Sequence, residues 1–135
     1  PDARLYGILI ESMINNAILE LMASLRRDPQ FGLVLTIASG GVMTEILQDA
    51  STVLVPADDI YLLAALDSLR IAPLFDGFRG GQAASRTAVL DQIKGLVSLM
   101  KDAPDIKEIE INPIMVGKDY ACCADALIYI SSTEA

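Results

Sequence analysis

The sequence contains no histidine and no tryptophan, and only 5% of its 135 residues are aromatic. Without histidine, this chain cannot by itself build a Ser-His-Asp triad, a His-ligated zinc site or a phosphorylated histidine. Hydrophobic residues still make up 53% of the chain, so the scarcity of aromatic residues predicts a core that is mainly aliphatic. The composition therefore excludes several catalytic chemistries and leaves enough apolar material for a substantial core.

Positive charge is also scarce, since 10 Lys and Arg oppose 18 Asp and Glu and the formal net charge is −8. A nucleic-acid-binding surface needs clustered Lys and Arg, so we expect no nucleic-acid partner. An acidic chain can still bind nucleotide phosphates, because Mg²⁺ bridges carboxylates and phosphates of the same sign.

The two cysteines are adjacent in sequence, at Cys122 and Cys123. Neighbours this close rarely form a disulfide, and two thiols make no disulfide framework, which favours a reducing cytoplasm. On a strand the two side chains point to opposite faces, so they cannot chelate one metal together. No apolar run approaches the ~18 residues of a membrane span, and we expect no membrane partner and no signal peptide.

The length of the chain predicts one domain over residues 1–135, because single domains cluster near ~100–150 residues. The first residue is Pro1 and not Met. We therefore expect the chain to be either a processed product or, as the favoured interpretation, a fragment of a longer protein.

The pattern of apolar residues predicts more strands than helices. The predicted strands cover residues 6–13, 18–25, 31–38, 42–47, 51–55, 106–116 and 120–130. One helix is predicted over 60–69 after a cap at Asp58 or Asp59, and another runs from the N-cap Ser85 to about Lys101. Because the strands are segregated from the helices, we predict an α+β fold, an antiparallel sheet covered by helices.

The most informative stretch precedes Pro113. In a strand, side chains two apart share a face, so Glu108, Glu110 and Asn112 are predicted to point together, away from the core. If residues 120–130 fold back as the partner strand, Asp125 lies near Asn112. Amide and carboxylate oxygens suit Mg²⁺. The alternative on spacing alone is an ordinary strand with its polar face in water.

Two glycine-containing segments are weaker signals. Gly40-Gly41 follows a strongly apolar predicted strand, as glycine pairs do where backbone turns sharply or lies against a ligand. Residues 75–82 hold three glycines around Arg79, which predicts a loop with a candidate anion contact. Ordinary turn geometry and a solvated loop are the respective alternatives.

Taken in order, five segments resemble the NDP-forming acyl-CoA synthetase family and its relative, the succinyl-CoA synthetase β subunit. These segments are Gly7-Ile8-Leu9-Ile10-Glu11 with Met13; Leu19-Glu20-Leu21 before Asp28-Pro29-Gln30-Phe31-Gly32; Gly40-Gly41-Val42 with Glu45 and Asp49; Gly77-Phe78-Arg79-Gly80; and Glu110-Ile111-Asn112-Pro113 followed by Asp125. The resemblance runs from about Tyr6 to Ile130.

The resemblance implies the C-terminal lobe of an ATP-grasp domain. It also implies an acid-thiol ligase that interconverts acyl-CoA, ADP and phosphate with acid, CoA and ATP through an acyl phosphate and a phosphohistidine. Asn112 and Asp125 would hold Mg²⁺, and Glu110 would be the catalytic residue that orients the phosphohistidine. Residues of the other segments would bind ATP or ADP, and these are Glu11, Met13, Glu20, Gly40, Gly41 and Arg79.

The same resemblance implies partners that this sequence does not contain. They are the N-terminal ATP-grasp lobe with its phosphate-gripping lysine and the CoA-binding and histidine-bearing domains or subunit, which would bind CoA and the acid. The isolated chain is therefore expected to be inactive, and its exposed apolar strand around Ile8, Ile10 and Met13 predicts a homodimer. Leu127 stands where the family usually has a basic residue. The alternative interpretation is a non-catalytic ATP-grasp remnant acting as a dimerisation or docking module.

Overall fold

The computed structural model describes residue 4, residues 6–41, residue 44 and residues 48–131. The strands are β1 (Leu19–Asp28), β2 (Gly32–Ser39), β3 (Ala50–Val55), β4 (Ile106–Val116), β5 (Ala121–Cys123) and β6 (Ala126–Ile130). The helices are α1 (Asp59–Asp67) and α2 (Arg86–Asp102), and short 3₁₀ turns lie at Ala72–Asp76 and Phe78–Gly80. The predicted α+β class is confirmed.

The strands form one six-stranded antiparallel sheet. Its order is β3-β2-β1-β4, and both β5 and β6 pair with β4 at the far edge. The long central strands β1 and β4 therefore bring the start of the chain beside its last third. This pairing places the Glu110 segment in the interior of the sheet and the hairpin carrying Asp125 at its edge.

Helices α1 and α2 pack on one face of the sheet and build the core there. Ser85 caps α2 by accepting a hydrogen bond from the Ala88 N–H at 3.1 Å, as predicted. The buried stripe of α2 consists of Val89, Leu90, Ile93, Val97 and Met100. It belongs to one apolar cluster with sheet residues that include Leu25, Leu35, Ile109 and Ile111. The polar positions between those sheet residues, such as Glu110, are turned to the opposite face, which these helices leave open.

Strand β4 carries a bulge beside Pro113, and this irregularity splits the strand predicted over 120–130. Ile111 pairs with Ala23 and Ile114 with Leu21, so β4 has one more residue than β1 in this interval. Pro113 cannot donate a ladder hydrogen bond, which suits a bulge. The partner chain breaks into β5 and β6 opposite this point, with Asp125 in the gap.

The strand predicted over residues 6–13 is not formed, whereas the exposure predicted around Ile8, Ile10 and Met13 is found. These residues adopt no regular secondary structure, and Tyr6, Ile8, Leu9, Ile10 and Met13 are between 81% and 90% exposed. A strand requires a hydrogen-bonded neighbour, and none of the pairings found within the described residues includes this segment. Its apolar side chains therefore form an exposed surface within the described residues.

The remaining predicted elements fit with small changes. The strand predicted over 42–47 falls mostly outside the described residues, but Thr44 is helical and its carbonyl accepts a hydrogen bond from the Gln48 N–H. The loop predicted over 75–82 begins within the 3₁₀ turn Ala72–Asp76 and contains the whole of the turn Phe78–Gly80. No helix within the described ranges is long and apolar enough to cross a membrane.

Candidate functional site

A small pocket on the open face of the sheet collects the residues predicted to hold a metal. Glu110, Asn112, Asp125, Ala126 and Leu127 line this pocket, whose volume is about 240 Å³. Strand β4 supplies the first two and the β5–β6 connection supplies Asp125. The bulge in β4 lies within this lining, which is where bulges commonly re-aim side chains.

Asn112 and Asp125 are adjacent, as the hairpin prediction required. The backbone N–H of Asn112 donates to the carbonyl oxygen of Asp125 at 3.2 Å. The Asp125 carboxylate is oriented locally, because its Oδ1 accepts the N–H of Ala126 at 2.8 Å. The amide oxygen of the half-buried Asn112 and the carboxylate of the exposed Asp125 thus line the same pocket.

Glu110 lies next to this pair on the same face. Its register partners are Ser24 on β1 and Leu127 on β6. The neighbouring acid Glu108 is engaged otherwise, since its Oε1 accepts the Ser24 hydroxyl at 2.9 Å. None of the described residues that line the pocket is cationic, and two of them are carboxylates. The lining therefore favours a positively charged ligand.

The glycine pair after β2 reaches the same site. The N–H of Gly41 donates to Asn112 Oδ1 at 2.9 Å, and the N–H of Gly40 donates to the carbonyl of Glu20 at 2.9 Å. Glycine is required at both positions. A Cβ on Gly40 would lie 2.5 Å from the carbonyl oxygen of Leu21, and Gly41 has a φ of +60° with the Glu20 carboxylate in the space of a Cβ.

Six of the nine predicted site residues are therefore linked in one region, namely Glu20, Gly40, Gly41, Glu110, Asn112 and Asp125. The other three are not joined to it by any hydrogen bond among the described residues. Glu11 and Met13 belong to the exposed segment before β1. Arg79 lies in the glycine-rich turn, with its guanidinium 5.3 Å from the centroid of the Phe78 ring.

The donor set fits Mg²⁺ in type and in number. Magnesium is usually bound by one or two protein oxygens and completes its octahedron with water and substrate phosphates. Among the residues that the structure describes, no group of three or more His, Cys, Asp and Glu side chains is arranged to hold a metal. The amide and carboxylate pair alone would leave the coordination of Mg²⁺ incomplete. Phosphate oxygens of a bound nucleotide and water would supply the other ligands.

The adjacent cysteines stay apart from this chemistry. Cys122 is exposed, whereas the Cys123 thiol is partly buried and contacts Gln92 Oε1 at 3.4 Å. Burial, followed by the neighbouring Cys122, raises the pKa of Cys123. A raised pKa disfavours the nucleophilic thiolate, so the structure gives Cys123 no catalytic character.

The described residues thus form an antiparallel sheet with helices on one face and an amide and carboxylate pair on the other. The family model for the ATP-grasp domain matches residues 1–130, and the chain belongs to this family.

Similar proteins with known activities are ADP-forming acyl-CoA ligases. The β subunit of acetate–CoA ligase (ADP-forming) I from Pyrococcus furiosus is 35% identical over 126 residues, which is 93% of this chain and 54% of that protein. The β subunit of isoenzyme II from the same organism is 31% identical over 133 residues, covering 96% of this chain and 56% of that protein. The chain thus spans about half the length of these relatives, and the resemblance seen in the sequence is confirmed.

A solved structure agrees with these matches. The dinucleotide-forming acetyl-coenzyme A synthetase 1 of Ca. Korarchaeum cryptofilum, in complex with coenzyme A and Mg-AMPPCP, superposes with a TM-score of 0.78 at 26% identity. The match covers 84% of this chain and 53% of the solved chain. The ATP-grasp fold predicted from the sequence is therefore confirmed.

Proposed function

We propose that this chain is the Mg²⁺- and nucleotide-binding part of an NDP-forming acyl-CoA synthetase. Such an acid-thiol ligase converts acyl-CoA, ADP and phosphate to acid, CoA and ATP. The observation that carries the proposal is the convergence of Glu110, Asn112 and Asp125 on one pocket beside the Gly41 amide. The names of the similar proteins support the reaction class.

Asn112 and Asp125 would be the protein ligands of Mg²⁺. Bound Mg²⁺ supplies neutralisation of the charge on the phosphate oxygens. Asn112 Oδ1 has two lone pairs, so it can accept the Gly41 N–H and still face a cation. That hydrogen bond fixes which side of the amide carries the oxygen, as partners behind a metal ligand commonly do.

Glu110 would be the catalytic residue that receives a histidine from elsewhere, because this chain has none. Its carboxylate, half-exposed on the open face, can accept an imidazole N–H and favour the charged form of the ring. Its neighbour Leu127 adds no competing charge. Glu110 would therefore position the histidine while it carries the phosphoryl group.

The remaining nucleotide contacts and the partners are proposed from the resemblance to the family. Glu20, Gly40 and Gly41 border the metal pair, whereas Glu11, Met13 and Arg79 would meet ATP or ADP only in the assembled protein. Assembly would add the N-terminal ATP-grasp lobe and the CoA-binding and histidine-bearing domains or subunit, in the cytoplasm. The isolated chain would have no activity, since it holds one side of the cleft.

One observation favours a second function. Leu127 is the side chain directly opposite Glu110, and no cation is present among the described residues that line the pocket to grip a phosphate. A non-catalytic ATP-grasp remnant that serves as a docking or dimerisation module would tolerate such a lining.

Substitutions in the full-length protein separate these functions. Asp125→Ala should reduce acyl-CoA-dependent ATP formation by about 100-fold or more, because a lost ligand misplaces the metal. Glu110→Gln should keep Mg²⁺-nucleotide binding, measured by calorimetry, yet slow phosphoryl transfer, because the amide preserves size and removes charge. Asp125 is exposed, so its loss should change the unfolding free energy by less than about 0.5 kcal/mol.

The matched control is Asp119→Ala, an acid in the turn between β4 and β5 outside the pocket, which should leave turnover unchanged. Near-normal turnover of Asp125→Ala at saturating Mg²⁺ would refute the metal assignment. A wild-type protein that binds no Mg²⁺-nucleotide at all would favour the docking module.

A further inference from the structure

We infer that Asp49 is a positioning residue for the metal site, acting through Ser39 on the backbone that leads to Gly41. This inference rests on the proposed function, because it assigns a role toward the Mg²⁺ ligand Asn112. Asp49 lies outside the pocket and is not one of its lining residues. Its hydrogen bonds nevertheless fix the base of the loop whose N–H group reaches Asn112.

The hydrogen bonds between Ser39 and Asp49, here called the clasp, join the end of β2 to the start of β3. Ala38 and Ala50 are the last ladder pair of these strands. One step further, the N–H of Ser39 donates to the Asp49 carbonyl at 3.1 Å, and the Ser39 hydroxyl donates to Asp49 Oδ2 at 3.1 Å. Backbone and side chain of Asp49 thus both close the loop.

The same carboxylate oxygen ties the clasp to a distant turn. Asp49 Oδ2 also accepts the backbone N–H of Arg70 at 2.7 Å. Ser39 is 2% exposed, and it is the one buried polar residue among the described parts of the chain. A buried hydroxyl that lost its acceptor would be left unsatisfied, so this part of the clasp resists rearrangement.

From the clasp, hydrogen bonds lead to the metal ligand. The Thr44 hydroxyl lies 2.9 Å from both the Ser39 and the Gly41 carbonyl oxygens. It can donate its one hydrogen to either of them. Gly40 is held against β1 through the Glu20 carbonyl, and the Gly41 N–H then meets Asn112 Oδ1. The position of the Gly41 amide therefore depends on the clasp, and the orientation of the Asn112 side chain depends on that amide.

The role of Asp49 is to accept hydrogen bonds and not to supply charge. A variant that keeps the accepting oxygen and removes the charge should therefore behave like the wild type. Asp49→Ala removes both side-chain bonds of the clasp. Asp49→Asn retains an oxygen of the same reach that can accept from Ser39 and Arg70. Asp91→Ala is the matched control, because Asp91 is exposed on α2 and takes part in no side-chain hydrogen bond or ion pair among the described residues.

The test uses the full-length protein and two readouts. Electron paramagnetic resonance titration with Mn²⁺ and ADP should give a dissociation constant about tenfold higher for Asp49→Ala, in the range typical of residues behind a metal ligand. Amide hydrogen exchange without metal should accelerate at Gly41 but not at Leu35 in the centre of β2. Asp49→Asn and Asp91→Ala should stay close to the wild type in both.

Unchanged Mn²⁺ affinity and unchanged Gly41 exchange in Asp49→Ala would overturn the inference, as would equal losses in Asp49→Asn and Asp49→Ala. If Asp49→Ala does not fold, Ser39→Ala replaces it, because that variant removes a single clasp bond and must shift Gly41 exchange in the same direction. A wild-type protein that binds no Mn²⁺-ADP contradicts the proposed function instead, while the exchange measurement still decides the role of Asp49.

Discussion

Gly40 occupies a position where even a methyl group has no room. A Cβ there would lie 2.5 Å from the carbonyl oxygen and 2.9 Å from the Cα of Leu21, both backbone atoms of the central strand. Backbone cannot move aside as a flexible side chain can. Gly40→Ala should therefore lower the free energy of unfolding by about 2 kcal/mol, as overpacked sites do. Urea unfolding of the two proteins measures the difference.

Gly95 provides the internal comparison for this substitution. It lies in α2, and a Cβ added there would meet no atom within 4 Å, so Gly95→Ala should stabilise the protein by about 0.5–1 kcal/mol through helix propensity. If Gly40→Ala lowers the free energy of unfolding and Gly95→Ala raises it, the loss at Gly40 comes from the atoms around that residue and not from the added methyl group as such. A neutral Gly40→Ala would show that the loop can leave β1 freely.

The placement of Asn112 beside Asp125 could be predicted because it follows from local rules, while their role as metal ligands stays a prediction. The alternation along β4 assigned Glu110 and Asn112 to one face, and a simple hairpin brought Asp125 beside them. Asp49 could not be assigned in that way, since its partner is the backbone N–H of Arg70, a contact set by tertiary packing. The signal available in the sequence was its place in the segment Gly40-Gly41-Val42 with Glu45 and Asp49, which resembles the family and says nothing of hydrogen-bond partners.

At the scale of elements, one arginine fastens β1 to the end of α2. Arg27 donates from Nε to the Ile106 carbonyl at 2.9 Å and from Nη2 to the Ala103 carbonyl at 3.2 Å, and Nη2 also contacts the Met100 carbonyl. The last turn of a helix leaves carbonyl groups without partners, so this side chain satisfies acceptors that the helix itself cannot. Arg27→Ala should cost about 2 kcal/mol, measured by urea unfolding.

The adjacent residue is a stringent control for Arg27. Arg26 has a side chain that is 57% exposed and a single ion pair among the described residues, to Asp28 at 3.6 Å. Surface pairs of this kind contribute little, so Arg26→Ala should change stability by less than about 0.5 kcal/mol. Equal effects of the two substitutions would mean that net charge, and not the contact with α2, stabilises this end of β1.

The start of α2 is tied to the preceding turn by a second arginine, and this contact should depend on pH. Arg86 pairs with Asp76 at 2.8 Å and with Asp67 at 2.9 Å, above the ring of Phe75. The hydrogen bond from Arg86 lowers the pKa of Asp76 against the opposing effect of desolvation. A carboxyl whose folded pKa is depressed stabilises the fold above its unfolded pKa of about 3.9 and loses that contribution as the pH falls through the folded value.

Asp76→Asn should therefore be less stable than the wild type near neutral pH, and the difference should vanish in acid. Thermal unfolding followed from neutral pH to about pH 2 tests this expectation, because the contribution is lost only below the depressed pKa of Asp76. In an Arg86→Ala background, the same substitution should have no pH-dependent effect, because the partner that depresses the pKa is gone. A difference that stays constant with pH would contradict the assignment.

The elements predicted best are those whose pattern of apolar residues along the chain matches the face that they bury in the structure. The strand over 106–116 has the predicted bounds, and α2 begins after Ser85 as its cap required. The strand over 120–130 was wrong in its middle because a bulge in the partner strand interrupts the ladder there. No alternation of apolar residues reveals a bulge in a neighbour, so this feature lies beyond local sequence rules.

At the scale of the whole molecule, the chain presents two surfaces that it does not itself complete. The open face of the sheet carries the candidate site, and the segment before β1 exposes large apolar side chains. Tyr6, Ile8 and Ile10 are 88%, 88% and 90% exposed. Under the proposed function these surfaces would meet the N-terminal ATP-grasp lobe, and the apolar pattern of residues 6–13 would serve that contact.

Without that lobe, the apolar segment predicts self-association of the isolated chain. Extended segments with exposed apolar side chains readily pair with a second copy, because pairing satisfies backbone groups and covers apolar surface together. Analytical sedimentation at high micromolar concentration should therefore show a dimer of the 14.5 kDa chain. The double substitution Ile8→Asp and Ile10→Asp should return a monomer, whereas Ile60→Asp should not, although Ile60 on α1 is also 77% exposed. A wild-type chain that sediments as a clean monomer, or a dimer that only Ile60→Asp dissociates, would show that the segment before β1 is not the associating surface.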